Sequence, residues 1–168
     1  MSGTDHSQIT GGGDLDLVTD GDLNVSRAIS MTGAINLDLG DDLFLYASIE
    51  STGGGDIAIR TQDDVIVNTS PDDAIFSNDG TISIDAGDDI QVRNGNNLDL
   101  DAGNGLIVIR SGGEIDGLEI AASQLAVSAA EGDVTINDID STDLEIVEAT
   151  TILGGVVVTG VSGSEDVT

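Results

Sequence analysis

The sequence predicts an all-β chain wound as a parallel β-solenoid, on three observations. Short runs alternate apolar and polar residues along most of the chain. The runs recur at a fixed interval, polar positions included. Glycine and aspartate fill the gaps, with 23 glycines against a single proline, Pro71. Alternation over three to five residues between Gly, Asp, Asn and Ser marks a half-buried strand. Recurrence at fixed spacing is the signature of stacked repeats.

The elements follow in order. Residues 1–13 read as a flexible lead-in ending in Gly11–Gly12–Gly13. Alternating pairs then begin with Leu15/Leu17, Leu23/Val25, Ile35/Leu37/Leu39 and Leu43/Leu45. They continue with Ile57/Ile59, Val65/Val67, Ala74/Phe76, Ile82/Ile84, Ile90/Val92, Leu98/Leu100 and Ile107/Ile109. Leu118/Ile120, Leu125/Val127, Val134/Ile136, Leu144/Ile146 and Val156/Val158 complete the set. Ile120–Ala130 and Leu144–Thr150 come nearest to helical spacing, and both read as strands. A single solenoid domain is expected over residues 14–162, followed by a tail or cut end at 163–168.

The period comes from two interleaved series. Ile57–Ala58–Ile59–Arg60, Ala74–Ile75–Phe76–Ser77, Ile90–Gln91–Val92–Arg93 and Ile107–Val108–Ile109–Arg110 end at positions 60, 77, 93 and 110. Val65–Ile66–Val67–Asn68, Ile82–Ser83–Ile84–Asp85 and Leu98–Asp99–Leu100–Asp101 end at positions 68, 85 and 101. A coil of about 16–17 residues with two strands is therefore expected, giving a two-faced rod. Arg60–Ser77–Arg93–Arg110 would stack on one ladder and Asn68–Asp85–Asp101 on another. Three strands per coil of about 25 is the alternative, which the Asp pairs at 63–64 and 88–89 would fit. Regularity fades outside 57–110, with insertions expected near 26–34 and 111–117.

Composition limits what such a rod could do. Thirty-two acids face four arginines (Arg27, Arg60, Arg93, Arg110) and no lysine, for a net charge of −28. That field repels phosphate backbones and anionic lipid, so neither nucleic acid nor membrane insertion is expected, whereas cations and basic partners are favoured. Aromatics are 2% of residues, so the core is aliphatic. Without cysteine there is no disulfide or thiol chemistry. His6, alone in the lead-in, leaves nucleophilic triads without a base, and no enzyme is expected. A β-helix enzyme acting on polysaccharide would need a basic, aromatic-lined groove, which Arg60, Arg93 and Tyr46 alone would have to supply.

Over Thr81–Gly113, Gly87–Asp88–Asp89–Ile90 and Leu98–Asp99–Leu100–Asp101–Ala102–Gly103 resemble the repeats of filamentous-haemagglutinin-type adhesins. The resemblance implies a secreted bacterial protein with Gly-Asp-apolar-x-apolar-x-Ala-Gly units wound into a right-handed parallel β-helix. The chain departs from that family in its acidity, its lack of lysine and its short coil.

Of the acids 25 are Asp and seven are Glu, a bias toward turns and hard-cation sites. The doublets Asp41–Asp42, Asp63–Asp64, Asp72–Asp73 and Asp88–Asp89 each precede a strand. Turn chemistry accounts for them, since Asp bonds its own backbone and tolerates left-handed conformations. Calcium binding is the second chemistry. Carboxylates one coil apart repel by about 0.9 kcal/mol even in bulk-water dielectric, a cost that a bridging Ca²⁺ removes. The resulting expectation is an extracellular or cell-surface structural or adhesive module, acidic and calcium-stabilised, self-associating into filaments or stalks. An intracellular polymerising β-helix of cytoskeletal type is the alternative.

Overall fold

The computed structural model describes residues 8–68, 75–93, 97–141, 143–159 and 166–167. It is all-β and parallel throughout. The first coil carries β1 (Ile9–Gly11), β2 (Leu15–Thr19) and β3 (Leu23–Val25). The next two repeat that plan, with β4 (Ile29–Met31), β5 (Ile35–Leu39), β6 (Leu43–Leu45), β7 (Ile49–Ser51), β8 (Ile57–Thr61) and β9 (Val65–Val67). Then come β10 (Ile75–Ser77), β11 (Ile82–Ala86), β12 (Ile90–Val92), β13 (Leu98–Asp101) and β14 (Leu106–Ser111). The remainder is β15 (Ile115–Ala121), β16 (Gln124–Ala129), β17 (Val134–Ile139), β18 (Asp143–Thr151), β19 (Val156–Val158) and β20 (Asp166–Val167).

As far as β12 each strand pairs with the one three places on, so this part of the stack has three faces. β1, β4, β7, β10 and β13 form the first, β2, β5, β8, β11 and β14 the second, and β3, β6, β9 and β12 the third. Leu15, Ile35, Ile57, Ile82, Ile107, Leu125 and Ile146 lie one above another. The intervals between their positions, in turn 20, 22, 25, 25, 18 and 21, are the lengths of the six coils they bound.

Stacking is thus as expected, but the 16–17 period is not the coil. Three strands share an interval of 25, and two of the three occupy two thirds of it. The recurrence therefore counts two strands and falls short of a full turn. The two series step from face to face: Arg60 lies in β8 on the second face, Ser77 ends β10 on the first, and Arg93 follows β12 on the third. The true column reads Asp38, Arg60, Asp85, Arg110 and Ser128. Asp85 and Asp101 likewise lie on different faces, and Asn68 follows β9 on the third.

The two irregular stretches are short coils and not insertions. Residues 26–34 belong to the first of the six coils, and 111–117 to the fifth and shortest, where a corner is lost. There β15 is continuous: Ile115 pairs with Ile90 on the third face, and Leu118–Ala121 pair with β13 on the first. Gly117 makes the passage at φ 73°, a left-handed conformation that costs glycine nothing. From β15 onward each coil has two strands, as the two-faced reading expected for the whole. Strand β1 lies inside the expected lead-in, and β20 inside the expected tail.

The core is columns of like on like. Ile35, Ile57, Ile82 and Ile107 are each fully buried, as are Ile49 and Ile75 on the first face and Leu43, Val65, Ile90 and Ile115 on the third. The buried polar groups are hydroxyls with defined partners. Ser51 Oγ donates to the Gly33 carbonyl and Ser77 Oγ to that of Gly55, both at 2.8 Å.

Candidate functional site

The corner between the second and third faces carries the most regular polar feature. Asp directly precedes the first apolar residue of β3, β6, β9, β12 and β17, and register stacks Asp22, Asp42, Asp64, Asp89, Glu114 and Asp133 in one column. Each strand starts where its backbone turns inward, so the N–H before it has no strand partner. The carboxylate of the coil below takes it. Asp42 Oδ1 accepts from Asp64 N at 3.0 Å, Asp64 Oδ1 from Asp89 N at 2.9 Å, and Asp89 Oδ1 from Glu114 N at 2.7 Å. Asp22 and Asp133 make the same bond to Asp42 N and Gly155 N, at 3.3 and 2.8 Å.

Beside this column runs a second one of Asp41, Asp63 and Asp88, all exposed to solvent. The structure therefore brings together six of the eight carboxylates that the sequence nominated; Asp72 and Asp73 lie outside the described residues. Asp42, Asp64 and Asp89 bond backbone one coil up, 22 or 25 residues along the chain, and not the local backbone that turn chemistry expected. Their second oxygens remain open or half-used: Gln91 Nε2 reaches Asp89 Oδ2 at 3.1 Å and Asp64 Oδ2 at 3.4 Å. Burial pushes the Asp64 carboxyl above its ordinary range. The charges of Asp42, Asp89 and Asp88 push the same way, against the Asp89 N–H bond that lowers it.

Compared with protein-family models, curated proteins and solved structures, the chain yields no match. Its chemistry has to be read from its own geometry.

Among the described residues no three carboxylate or imidazole groups converge closely enough to enclose a metal ion. The carboxylates form lines, not cages. The sequence reading missed Asp14, Asp56 and Asp79, which do at the corner before the second face what Asp42 does at the other. Asp14 Oδ1 accepts from Ala34 N, and Asp56 Oδ1 from Thr81 N, both at 2.8 Å; Asp79 Oδ1 accepts from Asn104 N at 2.9 Å. For Asp14 and Asp56 the signal was present as an Asp directly before an apolar run, whereas Asp79 sits three residues ahead of Ile82 and carried no such mark. The first face of the later coils adds Asp101, Glu119 and Asp140 around a shallow depression. There Asn97 Nδ2 donates to Glu119 Oε2 at 3.0 Å, and Asn137 Nδ2 to Asn97 Oδ1 at 2.7 Å.

The arginines divide. Arg60 and Arg110 stand two rungs apart on the second face with Asp85 between them, and Arg60 Nε lies 3.6 Å from Asp85 Oδ2. Arg93, on the third face, donates to Gln91 Oε1 at 3.5 Å.

Proposed function

We propose that this chain is a structural or adhesive β-solenoid module of an extracellular or cell-surface protein, forming a stalk or filament stiffened by calcium. The observation that carries the reading is the pair of carboxylate columns beside an unbroken stack of coils. Rungs repeat at about 4.8 Å, and Ca²⁺ binds oxygen at about 2.3–2.6 Å, so an ion seated between two rungs can reach a carboxylate on each. Asp63 and Asp88, exposed and one rung apart, are the pair of such a two-carboxylate bridge, with water completing the ion's shell, and Asp41 with Asp63 would repeat it one rung down. The resemblance of Thr81–Gly113 to filamentous-haemagglutinin-type repeats supports the adhesive setting.

Self-association is supported by the last described strand of the first sheet. Val156, Val157 and Val158 of β19 are 37%, 46% and 42% exposed, and β19 pairs only with β17 among the described strands. A strand edge with apolar side chains pairs readily with a further strand, whether of the same chain or of another.

Calorimetry with CaCl₂ followed by a chelator tests the calcium part: saturable, reversible heat is expected from the chain and reduced heat from D63N/D88N. A flat titration removes calcium from the proposal. Electron microscopy at high protein concentration in salt and calcium tests the assembly, and unit-length particles throughout would defeat it.

A further inference from the structure

The second face presents a stripe whose charges alternate. Asp38, Arg60, Asp85 and Arg110 occupy equivalent outward positions on four successive coils, reading minus, plus, minus, plus. This segment is electrically neutral on a chain of net charge −28 and holds two of its four basic residues. Neither Asp38 nor Arg110 forms an ion pair within 4 Å of any described residue. The neighbouring outward row is Asn36, Ala58, Ser83 and Val108, and beside Arg60 and Arg110 the short side chains of Ala58 and Ser83 leave a shallow depression.

We propose that the second face is a docking surface for a second copy of this chain, lying face to face with its coil axis antiparallel. The charge pattern selects that arrangement. A twofold axis passing between Arg60 and Asp85 sets Asp38 against Arg110 of the other copy, Arg60 against Asp85, and the reverse two pairs likewise. All four charges on each side then find an opposite. A parallel arrangement in register would oppose like to like, and a one-rung slip would strand the ends. Self-complementarity under a twofold is what an isologous interface requires. The small side chains let two sheets approach to roughly 10 Å while the arginine stems lie along them.

The contact is small. Five residues of strand across and four rungs along give about 300 Å² per copy, under half of what a standard stable interface buries on each side. The dimer is accordingly weak and concentration-dependent, suited to lateral contact between modules that are also held by other means. It needs moderate salt, because at a Debye length of about 8 Å the remaining acids are screened while contact pairs persist. This inference is independent of calcium binding and of end-to-end growth.

The test is a charge-complementation pair measured by sedimentation equilibrium near 0.15 M NaCl at up to millimolar protein. Wild type is expected to dimerise. R60Q/R110Q and D38N/D85N, each shown folded by circular dichroism, are expected to weaken self-association about fivefold or more, since each loses all four cross-pairs and an exposed pair is worth a factor of about 1.5 to 5. Mixed in equal amounts, they regain two of the four pairs and are expected to associate more tightly than either alone. A nitroxide at A58C, clean because the chain has no cysteine, should then lie within about 20 Å of its counterpart, given the sheet spacing. Monomeric wild type over this range, undiminished association of the variants, no gain on mixing, or long label distances would each overturn the proposal.

Discussion

A single carboxylate here serves two opposed demands. Asp64 accepts the Asp89 N–H and so completes the start of β12, yet it is half-buried and stands between two other acids of its column. Its folded-state affinity for a proton therefore exceeds that of the unfolded chain. For an acid whose pKa rises on folding, the native state holds the extra proton, so the associated stability is full below the ordinary value of 3.8 and is lost as pH climbs through the raised one. D64N keeps an acceptor for Asp89 N and removes the charge. It should melt higher than wild type at neutral pH, with the gap closing as pH falls toward 3.8. D64A, which leaves that N–H without its partner, should lose about 1 kcal/mol at neutral pH. Thermal melts of the three proteins from pH 3.5 to 8 read both effects, and a D64N gap that widened in acid would show the charge to be favourable after all.

At the scale of the strand and corner, backbone approach decides sequence. Gly33, Gly55, Gly80 and Gly105 stack at the corner leading into the second face, and a Cβ on Gly80 would meet the carbonyl oxygens of Gly55 and Gly54 at 2.7 and 2.9 Å. Replacing a loop glycine by alanine ordinarily stabilises by about 0.4–1 kcal/mol through the unfolded chain. G80A should instead destabilise by more than about 1 kcal/mol, whereas G13A, with nothing within 4 Å of its Cβ, should be neutral or slightly favourable. Denaturant midpoints of the two variants compare them directly, and equal behaviour would mean the corners have room to relax.

The same scale explains what could be read in advance. Strand positions and parallel stacking were legible because alternation of Ile, Leu and Val is enforced by burial of one side of every strand, as in Ile82 and Ile84. Coil length was not, because the strands of all three faces look alike: Ile90–Arg93 shares its ending with Ile57–Arg60 and Ile107–Arg110 but lies on a different face from both. Only the corners differ. The doublets at 41–42, 63–64 and 88–89, spaced by 22 and 25, already carried the true period. Alternation of Asp and Arg along one column, by contrast, is invisible until the period is right.

Over the whole molecule, charge sets the conditions under which the fold is stable. The six acids from Asp22 to Asp133 occupy consecutive rungs, a column about 24 Å long at the usual strand spacing. Near 0.01 M salt the screening length is about 30 Å, so each member repels all the others; near 0.15 M it is about 8 Å and only neighbours count. Coils cannot separate to relieve this, because each buries its aliphatic side chains only against the next, and stability is passed along the axis from neighbour to neighbour. The melting temperature should therefore climb most steeply between about 10 and 150 mM NaCl and level off toward 1 M. A gain of about 1 kcal/mol corresponds to about 2–4 °C for a chain of this size, so the total rise should reach several degrees. Millimolar CaCl₂ added at constant ionic strength separates screening from bridging: a further rise, abolished in D63N/D88N, identifies bound calcium. A melting temperature that stayed flat or fell across the sodium series would mean that the caps to backbone N–H outweigh repulsion along the column, and that net charge does not limit this fold.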